Sequence, residues 1–332
     1  MKKYLEFFLF IVVISSCQKQ ATPVPAPNTE NNKTVGTSAA QPCTGNTWSL
    51  TSGWPFSTGP TDIHYIGLKF VCGNKLYVPV YGDRMYIYDG SSWTWVTSVL
   101  PLDYFPYPYC FSVNDKGYIL ALGTTYKTLW QYDPITNTWA QKASFTGPRR
   151  FEGVSFTIGN KAYISSGRYS DTYYKDLWQY DPVSDQWNQK ASMPSGIPGR
   201  ARATAFSIGS NGYVVGGGSD YTPYNGPNVY YNTVLGYNQI LNTWSVLATY
   251  PGILADDAAS FAAGNYGYAG LDKHNFYRYS PATNAWSAIA AYPGEEYRHN
   301  YGTSYNSKGY VLSSIDMYRY NPQVCGGGGT TP

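Results

Sequence analysis

The chain has 332 residues, 23 Lys and Arg against 20 Asp and Glu, and a net charge of +3, with only 13% of its residues charged. With no Lys/Arg run, that balance argues against a nucleic-acid surface. The 35 Tyr, 10 Trp, 34 Gly and 22 Pro suit many short strands joined by tight turns.

Lys2 and Lys3 precede an apolar run, Phe7 to Ile14, that is too short to remain as a membrane-spanning helix. The run ends in Ile14-Ser15-Ser16-Cys17, which resembles the lipobox of bacterial lipoproteins. The resemblance implies a signal peptide over residues 1–17 and a lipid on Cys17. An ordinary secretory signal beside a coincidental cysteine is the other reading. Residues 18–42 are rich in Gln, Thr, Pro, Asn and Ala with almost no bulky apolar side chain. They cannot bury enough surface to fold and are predicted to be a disordered tether. Gln18-Lys19 lacks the aspartate that favours inner-membrane retention in some bacteria. An outer-membrane lipoprotein, periplasmic or surface-facing, is therefore expected, with the lipid as its only membrane contact.

Beyond the tether, a tyrosine and a tryptophan seven residues apart recur: Tyr132…Trp139, Tyr180…Trp187, Tyr237…Trp244 and Tyr279…Trp286. A shortened copy, Tyr88-Asp89-Gly90…Trp93, precedes them. A sixth copy is split, with Tyr320-Asn321-Pro322 near one end of the chain and Asn46-Thr47-Trp48 near the other. The gaps from Trp48 through Trp93, Trp139, Trp187 and Trp244 to Trp286 are 45, 46, 48, 57 and 42 residues. A period of that size points to propeller blades. Each unit also carries a turn followed by a tyrosine-led strand, as in Gly73-Asn74-Lys75-Leu76-Tyr77 and Gly159-Asn160-Lys161-Ala162-Tyr163. In the third unit, Val154, Phe156 and Ile158 alternate in a first strand. Residues 162–165, 177–180 and 187–190 complete four antiparallel strands, with Asp181-Pro182 turning the last two. The fold class is all-β, a six-bladed β-propeller of four-stranded antiparallel blades over residues 43–325, its last blade closed by N- and C-terminal strands. Residues 326–332 read as a flexible tail.

The turn, the Tyr-Asp-Pro and the tryptophan seven residues on resemble kelch repeats over residues 44–325. The paired glycines of that family are clear only at Gly216-Gly217-Gly218. The resemblance specifies a fold and leaves function open. In the split blade, Cys43 lies five residues before Trp48 and Cys325 five after Tyr320, so the two cysteines extend the arms of a hairpin without a turn. A Cys43–Cys325 disulfide is predicted for an exported protein, against two free thiols near the ends. Cys72 and Cys110 are expected to be free, buried and inert.

The residues leading into the first strands surround one end of the ring: His64, Phe105 to Tyr107, Arg150 to Glu152, Arg200 to Arg202, Asp256 with Asp257, and Arg298 with His299. The connections from second to third strand open on the same side. They are longest at 167–175, which holds Tyr169, Tyr173 and Tyr174, and at 216–232, which holds Tyr221, Tyr224, Tyr230 and Tyr231. Long loops on a rigid scaffold are where binding residues collect. Tyrosine faces suit sugar rings or protein partners, and arginines can fork a carboxylate. The candidate ligand site is therefore Arg150, Glu152, Arg200, Arg202, Tyr174, Tyr221, Tyr224, Asp257, Arg298 and His299. The alternative is that the tyrosines pack between blades and the arginines pair with Glu152, Asp256 or Asp257. His64, His274 and His299 fall in different units without ligand pairing, so no metal or other cofactor is expected, and a copper radical oxidase is disfavoured. No nucleophile-elbow signature supports a serine hydrolase. The expectation is a monomeric, non-catalytic binder of a glycan or an envelope protein. The alternative, implied by a six-bladed kelch family of the periplasm, is a sialic-acid mutarotase or epimerase using Glu152, Arg200, Arg202, Asp257 or His299.

Overall fold

A computed structural model of the protein describes residues 45–51, 53, 55, 68–80, 84–101, 108–122, 127–222, 226–252, 258–270, 274–294, 301–313 and 316–322. All regular structure among them is β, beginning with β1 (Thr47–Leu50). Blade 1 is β2 (Phe70–Cys72), β3 (Lys75–Pro79), β4 (Arg84–Tyr88) and β5 (Trp93–Thr97). Blade 2 is β6 (Tyr109–Val113), β7 (Lys116–Leu122), β8 (Lys127–Asp133) and β9 (Thr138–Lys142). Blade 3 is β10 (Phe151–Ile158), β11 (Lys161–Tyr169), β13 (Leu177–Asp181) and β14 (Gln186–Lys190), with the short β12 (Thr172–Tyr173) folded back on β11. Blade 4 is β15 (Thr204–Ile208), β16 (Asn211–Val215), β19 (Val234–Asn238) and β20 (Thr243–Val246). Its second and third strands are joined through a separate hairpin, β17 (Gly218–Thr222) and β18 (Gly226–Tyr230). Blade 5 is β21 (Ala259–Ala263), β22 (Tyr266–Gly270), β23 (Tyr277–Ser280) and β24 (Ala285–Ala288). Blade 6 is β25 (Tyr301–Tyr305), β26 (Lys308–Leu312), β27 (Met317–Asn321) and, as its fourth strand, β1. The first strands β2, β6, β10, β15, β21 and β25 face one another around the centre.

The Tyr…Trp repeat is the fastening between blades. In blades 3, 4 and 5 the tyrosine hydroxyl donates to the side-chain oxygen five residues on: Tyr180 to Asp185 (2.7 Å), Tyr237 to Asn242 (2.9 Å) and Tyr279 to Asn284 (2.8 Å). Those Asn and Asp residues take left-handed backbone angles, φ 53, 53 and 48, which their short polar side chains tolerate. The same oxygen accepts the backbone N–H of Ala143, Ala191 or Ala248 at the end of the preceding blade. The carbonyl of that same alanine accepts the indole N–H of Trp187, Trp244 or Trp286. A repeat of Tyr, Asn/Asp and Trp at these spacings therefore satisfies the outgoing backbone of each neighbour.

The interior between blades is aromatic. Each first-strand phenylalanine stacks on the tyrosine paired with it, as Phe156 on Tyr163 (5.4 Å) and Phe206 on Tyr213 (5.1 Å). The phenylalanine also fills the place of a missing Cβ in the next blade. A Cβ on Gly117 would meet Phe70 at 2.2 Å, and one on Gly267 would meet Phe206 at 1.9 Å. That contact explains the glycine before the turn tyrosine. Burying each such ring contributes about 1.5–3 kcal/mol.

The innermost strands have no partner on their channel side, and hydroxyl side chains cover part of that edge. Ser155 Oγ donates to the Cys110 carbonyl, Thr157 Oγ1 to the Ser112 carbonyl and Ser260 Oγ to the Ala205 carbonyl. Ser112 Oγ and Ser304 Oγ accept the N–H groups of Val71 and Ala262. An open edge is thereby stitched to the next blade.

Two expectations are refined. The 216–232 stretch is a hairpin, β17 with β18, rather than a plain loop. Cys72 is a buried free thiol as expected, whereas Cys110 is free but only half-buried and faces the channel. Cys17, Cys43 and Cys325 lie outside the described residues, as do the signal peptide, the tether and the tail.

Candidate functional site

Around the channel the six first strands share one register. Phe70, Phe111, Phe156, Phe206, Phe261 and Thr303 each pair with the tyrosine of the following strand. The residues just before them, Lys69, Cys110, Ser155, Ala205, Ser260 and Gly302, form one level of the wall. Those just after, Val71, Ser112, Thr157, Ser207, Ala262 and Ser304, form the next. Small side chains on both levels leave a cavity of about 630 Å³. Lys69 is the one charged side chain among these twelve positions. Its Nζ lies 4.7 Å from the centre of the Tyr301 ring, and none of the described carboxylates pairs with it. Burial pulls its amine down to about 8, an effect that Cys110 only partly opposes. Burial also pushes the Cys110 thiol up to about 11.

Glu152 and Arg202 also border the cavity. Each stands four residues before its blade's stacking phenylalanine, so adjacent blades offer opposite charges at the same place in the ring. Both take left-handed backbone angles, φ 57 and 53, and the Arg202 N–H donates to the Glu152 carbonyl at 2.7 Å. Non-glycine residues held in that region cost of order 1 kcal/mol or more and collect at functional sites. The Glu152 side chain is 3% exposed. Its Oε1 accepts Arg202 Nε at 2.9 Å, and its Oε2 accepts Arg168 Nε at 2.7 Å. One carboxylate thus orients two guanidinium groups, leaving a net positive charge beside the cavity.

Arg150 and Arg200 are both fully buried and do not border the cavity. Arg150 forks Asp176 at 2.6 and 2.7 Å and lies over the Tyr174 ring at 4.4 Å, while Trp178 Nε1 donates to the same carboxylate. That cluster holds Tyr174 and Arg150 as packing elements, and burial raises the Tyr174 hydroxyl above the usual tyrosine range. Arg200 Nη1 donates to the Gly216 carbonyl at 3.0 Å, and its guanidinium lies 4.9 Å from the Tyr231 ring centre. Its Nε and Nη2 have no partner among the described residues, and burial lowers it to about 10.

Of the predicted site, the structure brings Glu152 and Arg202 together at the cavity and sets Arg150, Arg200 and Tyr174 behind it. Tyr221 lies in β17, its backbone paired with Pro227. Tyr224, Asp257, Arg298 and His299 lie outside the described residues, with His64, Phe105, Tyr107 and Asp256. Sequence reasoning singles out the tyrosines of 167–175 and passes over Arg168 beside them. It also passes over Lys69, which only a residue-by-residue alignment of the six first strands reveals. Among the described residues no group of His, Cys, Asp and Glu has the arrangement of a metal site.

Residues 149–194, which span blade 3, match the Kelch motif family. No curated protein matches the chain in sequence. In fold it is similar to 1057 chains of known structure, so the likeness by itself selects no function. One of these, reported as the structure of YjhT, has a TM-score of 0.61 at 14% identity, covering 80% of this chain and 95% of that one. The chain is therefore a six-bladed β-propeller with a recurring Tyr, Asn/Asp and Trp fastening, and its third blade matches the Kelch motif.

Proposed function

We propose that the protein is a non-catalytic binding module for a glycan or protein ligand, held in the bacterial envelope by a lipid on Cys17 and engaging its ligand at the channel end bordered by Glu152 and Arg202. The observation that carries this reading is the buried Glu152 carboxylate, which aims Arg202 and Arg168 beside a 630 Å³ cavity from strained backbone. Both of its oxygens are engaged by arginines, an arrangement suited to fixing donors rather than to exchanging protons with a substrate. The tyrosine-rich segments of blades 3 and 4 begin at this end, where the Gly167 and Gly218 N–H groups bond the Arg200 and Ala201 carbonyls, and extend the surface a ligand could cover. The lipid anchor and an outer-membrane location rest on the Cys17 sequence.

The test is a glycan array read with wild-type protein and Arg202→Ala. Specific binding that falls tenfold or more in the variant, with its circular dichroism unchanged, supports the reading. Equal binding by both proteins would move the site away from the channel. The array is paired with NMR of anomer exchange using sialic acid and common hexoses. Acceleration by wild type that disappears in Glu152→Ala would replace the binder with a mutarotase or epimerase.

A further inference from the structure

The ligand reading above makes no use of Lys69. Its amine projects from the middle of a wall whose other five residues at that level are Cys, Ser, Ala, Ser and Gly. A buried ammonium without a counter-charge is costly, and it is normally paired or neutralised. Here the groups facing it are the Cys110 thiol and the Tyr301 ring, and neither supplies a negative charge at neutral pH. Ser112 Oγ, on the adjoining level of the next blade, accepts the Val71 N–H at 2.8 Å and so sets a hydroxyl against the strand that carries Lys69. An amine relieved of its proton, room in front of it and a hydroxyl on the neighbouring wall are the conditions for covalent capture of a carbonyl.

We propose that Lys69 is a carbonyl-reactive amine that forms a reversible imine with small hydroxyaldehydes entering the central cavity. The amine lone pair adds to the carbonyl carbon, and the carbonyl oxygen takes up a proton to give a carbinolamine. That oxygen then leaves as water with the remaining protons from nitrogen and solvent, and a C=N bond forms. No oxidant or reductant takes part, and water reverses the step. Hydroxyls of the wall, Ser112 first among them, hold the hydroxyl of the captured molecule. The proposal stands apart from ligand binding by Glu152 and Arg202 and neither needs it nor excludes it.

The depressed basicity sets the size of the effect. With a value of about 8, roughly a tenth of Lys69 is unprotonated at pH 7, against less than about a thousandth of an ordinary lysine. A less basic amine is also a weaker nucleophile, which returns part of that advantage, so a preference of about tenfold is expected.

The experiment exposes the full-length protein to glycolaldehyde and cyanoborohydride at pH 7 and locates reduced adducts by peptide mass spectrometry. Lys69 should be labelled about tenfold faster than the exposed Lys75. The preference should disappear in urea, and Lys69→Arg should carry no adduct at that position while keeping the same melting temperature within a few degrees. Equal labelling of Lys69 and Lys75 in the folded protein would overturn the proposal. So would a preference that survives in urea, since it would then belong to the local sequence and not to the cavity. A rate that keeps rising to the pH range of ordinary lysines, without levelling near 8, would likewise overturn it.

Discussion

Lys69 carries a stability signature that does not depend on what it reacts with. Its folded-state value is depressed, to about 8 from an ordinary 10.5, because burial disfavours the ammonium. Between those two values the unfolded chain holds the proton and the folded chain does not. Stability therefore rises with pH across that window, and below pH 8 the fold bears the cost of the buried charge. The amine is half-buried and meets the cavity, so the cost is on the order of 2 kcal/mol rather than the full value of the shift. Lys69→Met should accordingly be more stable than wild type at pH 7 by about that amount, and the gap should close as pH approaches 10. Paired urea titrations at pH 7 and pH 9.5 check this; a constant gap would mean that packing and not charge sets it. This residue is poorly legible in the sequence. Strand alternation shows only that it points away from its neighbour Phe70, and nothing local says that five small residues from other blades leave it unaccompanied. Glu152 and Arg202 are easier to find because the repeat places both at the start of a first strand. Their pairing is among the alternatives the sequence leaves open, and the adjacent blades select it.

Blades 3 and 4 repeat one device with one change. Arg150 and Arg200 hold the same position, and each reaches toward the residue just before the third strand of its blade: Asp176 in blade 3, Thr233 in blade 4. In blade 3 the guanidinium is fully paired, so Asp176→Ala should cost about 3–5 kcal/mol by leaving a buried charge alone. In blade 4 the counter-charge is missing, and Thr233→Asp should supply it, raising stability by about 1 kcal/mol at pH 7. A carboxylate held below its usual range stabilises above its unfolded value, and the gain is lost as pH falls through the lower, folded one. Urea midpoints at pH 7 and pH 3 should therefore show the gain only at pH 7. The blade fastening offers a second test at this scale. Asn242 combines a left-handed backbone, φ 53, with bonds to the Tyr237 hydroxyl and the Ala191 N–H. Asn242→Gly keeps the backbone and loses the bonds, and about 1–3 kcal/mol is expected. Asn242→Ala loses both, and about 1 kcal/mol more is expected. Denaturant titration of the pair separates the two contributions. The strands were open to reading from the sequence because Tyr and Trp recur at fixed spacing, whereas the Asn/Asp between them that bonds the neighbouring blade shows only in the structure. The β17–β18 hairpin was not legible, because Gly, Pro, Asn and Tyr in 216–232 break the alternation that marks a strand.

A ring of blades is only as secure as its closure, and here the closing blade is drawn from both ends of the chain. β1 pairs with β27 in the register Thr47 with Asn321 and Trp48 with Tyr320. The fastening is complete across the seam: Tyr320 donates to Asn46 at 3.0 Å, Asn46 accepts the Ala290 N–H at 2.9 Å, and Trp48 Nε1 donates to the Ala290 carbonyl at 2.9 Å. Tyr320 and Asn46, 274 residues apart, thus make the bond that Tyr180, Tyr237 and Tyr279 make to a residue five positions on. This is why the split copy of the repeat is enough to read a closed ring from sequence alone. It is also the weak point, since local unfolding of β1 removes a whole strand without disturbing any turn. In the sequence Cys43 stands four residues before Thr47 and Cys325 four after Asn321, the outermost described pair of the β1–β27 register. We propose that the two are joined in the exported protein. A bond enclosing nearly the whole chain restricts the unfolded state strongly, by about 5 kcal/mol in the chain-entropy description. Peptide mapping without reductant should recover a Cys43–Cys325 linked pair, while the buried Cys72 alkylates only after unfolding. Reduction, or Cys43→Ser with Cys325→Ser, should lower the melting temperature by several degrees and expose the amides of β1 to hydrogen exchange before those of any other strand. If both cysteines alkylate freely in oxidised protein, or if the double variant melts with wild type, the seam is held by β1 pairing and the Asn46–Trp48 fastening alone.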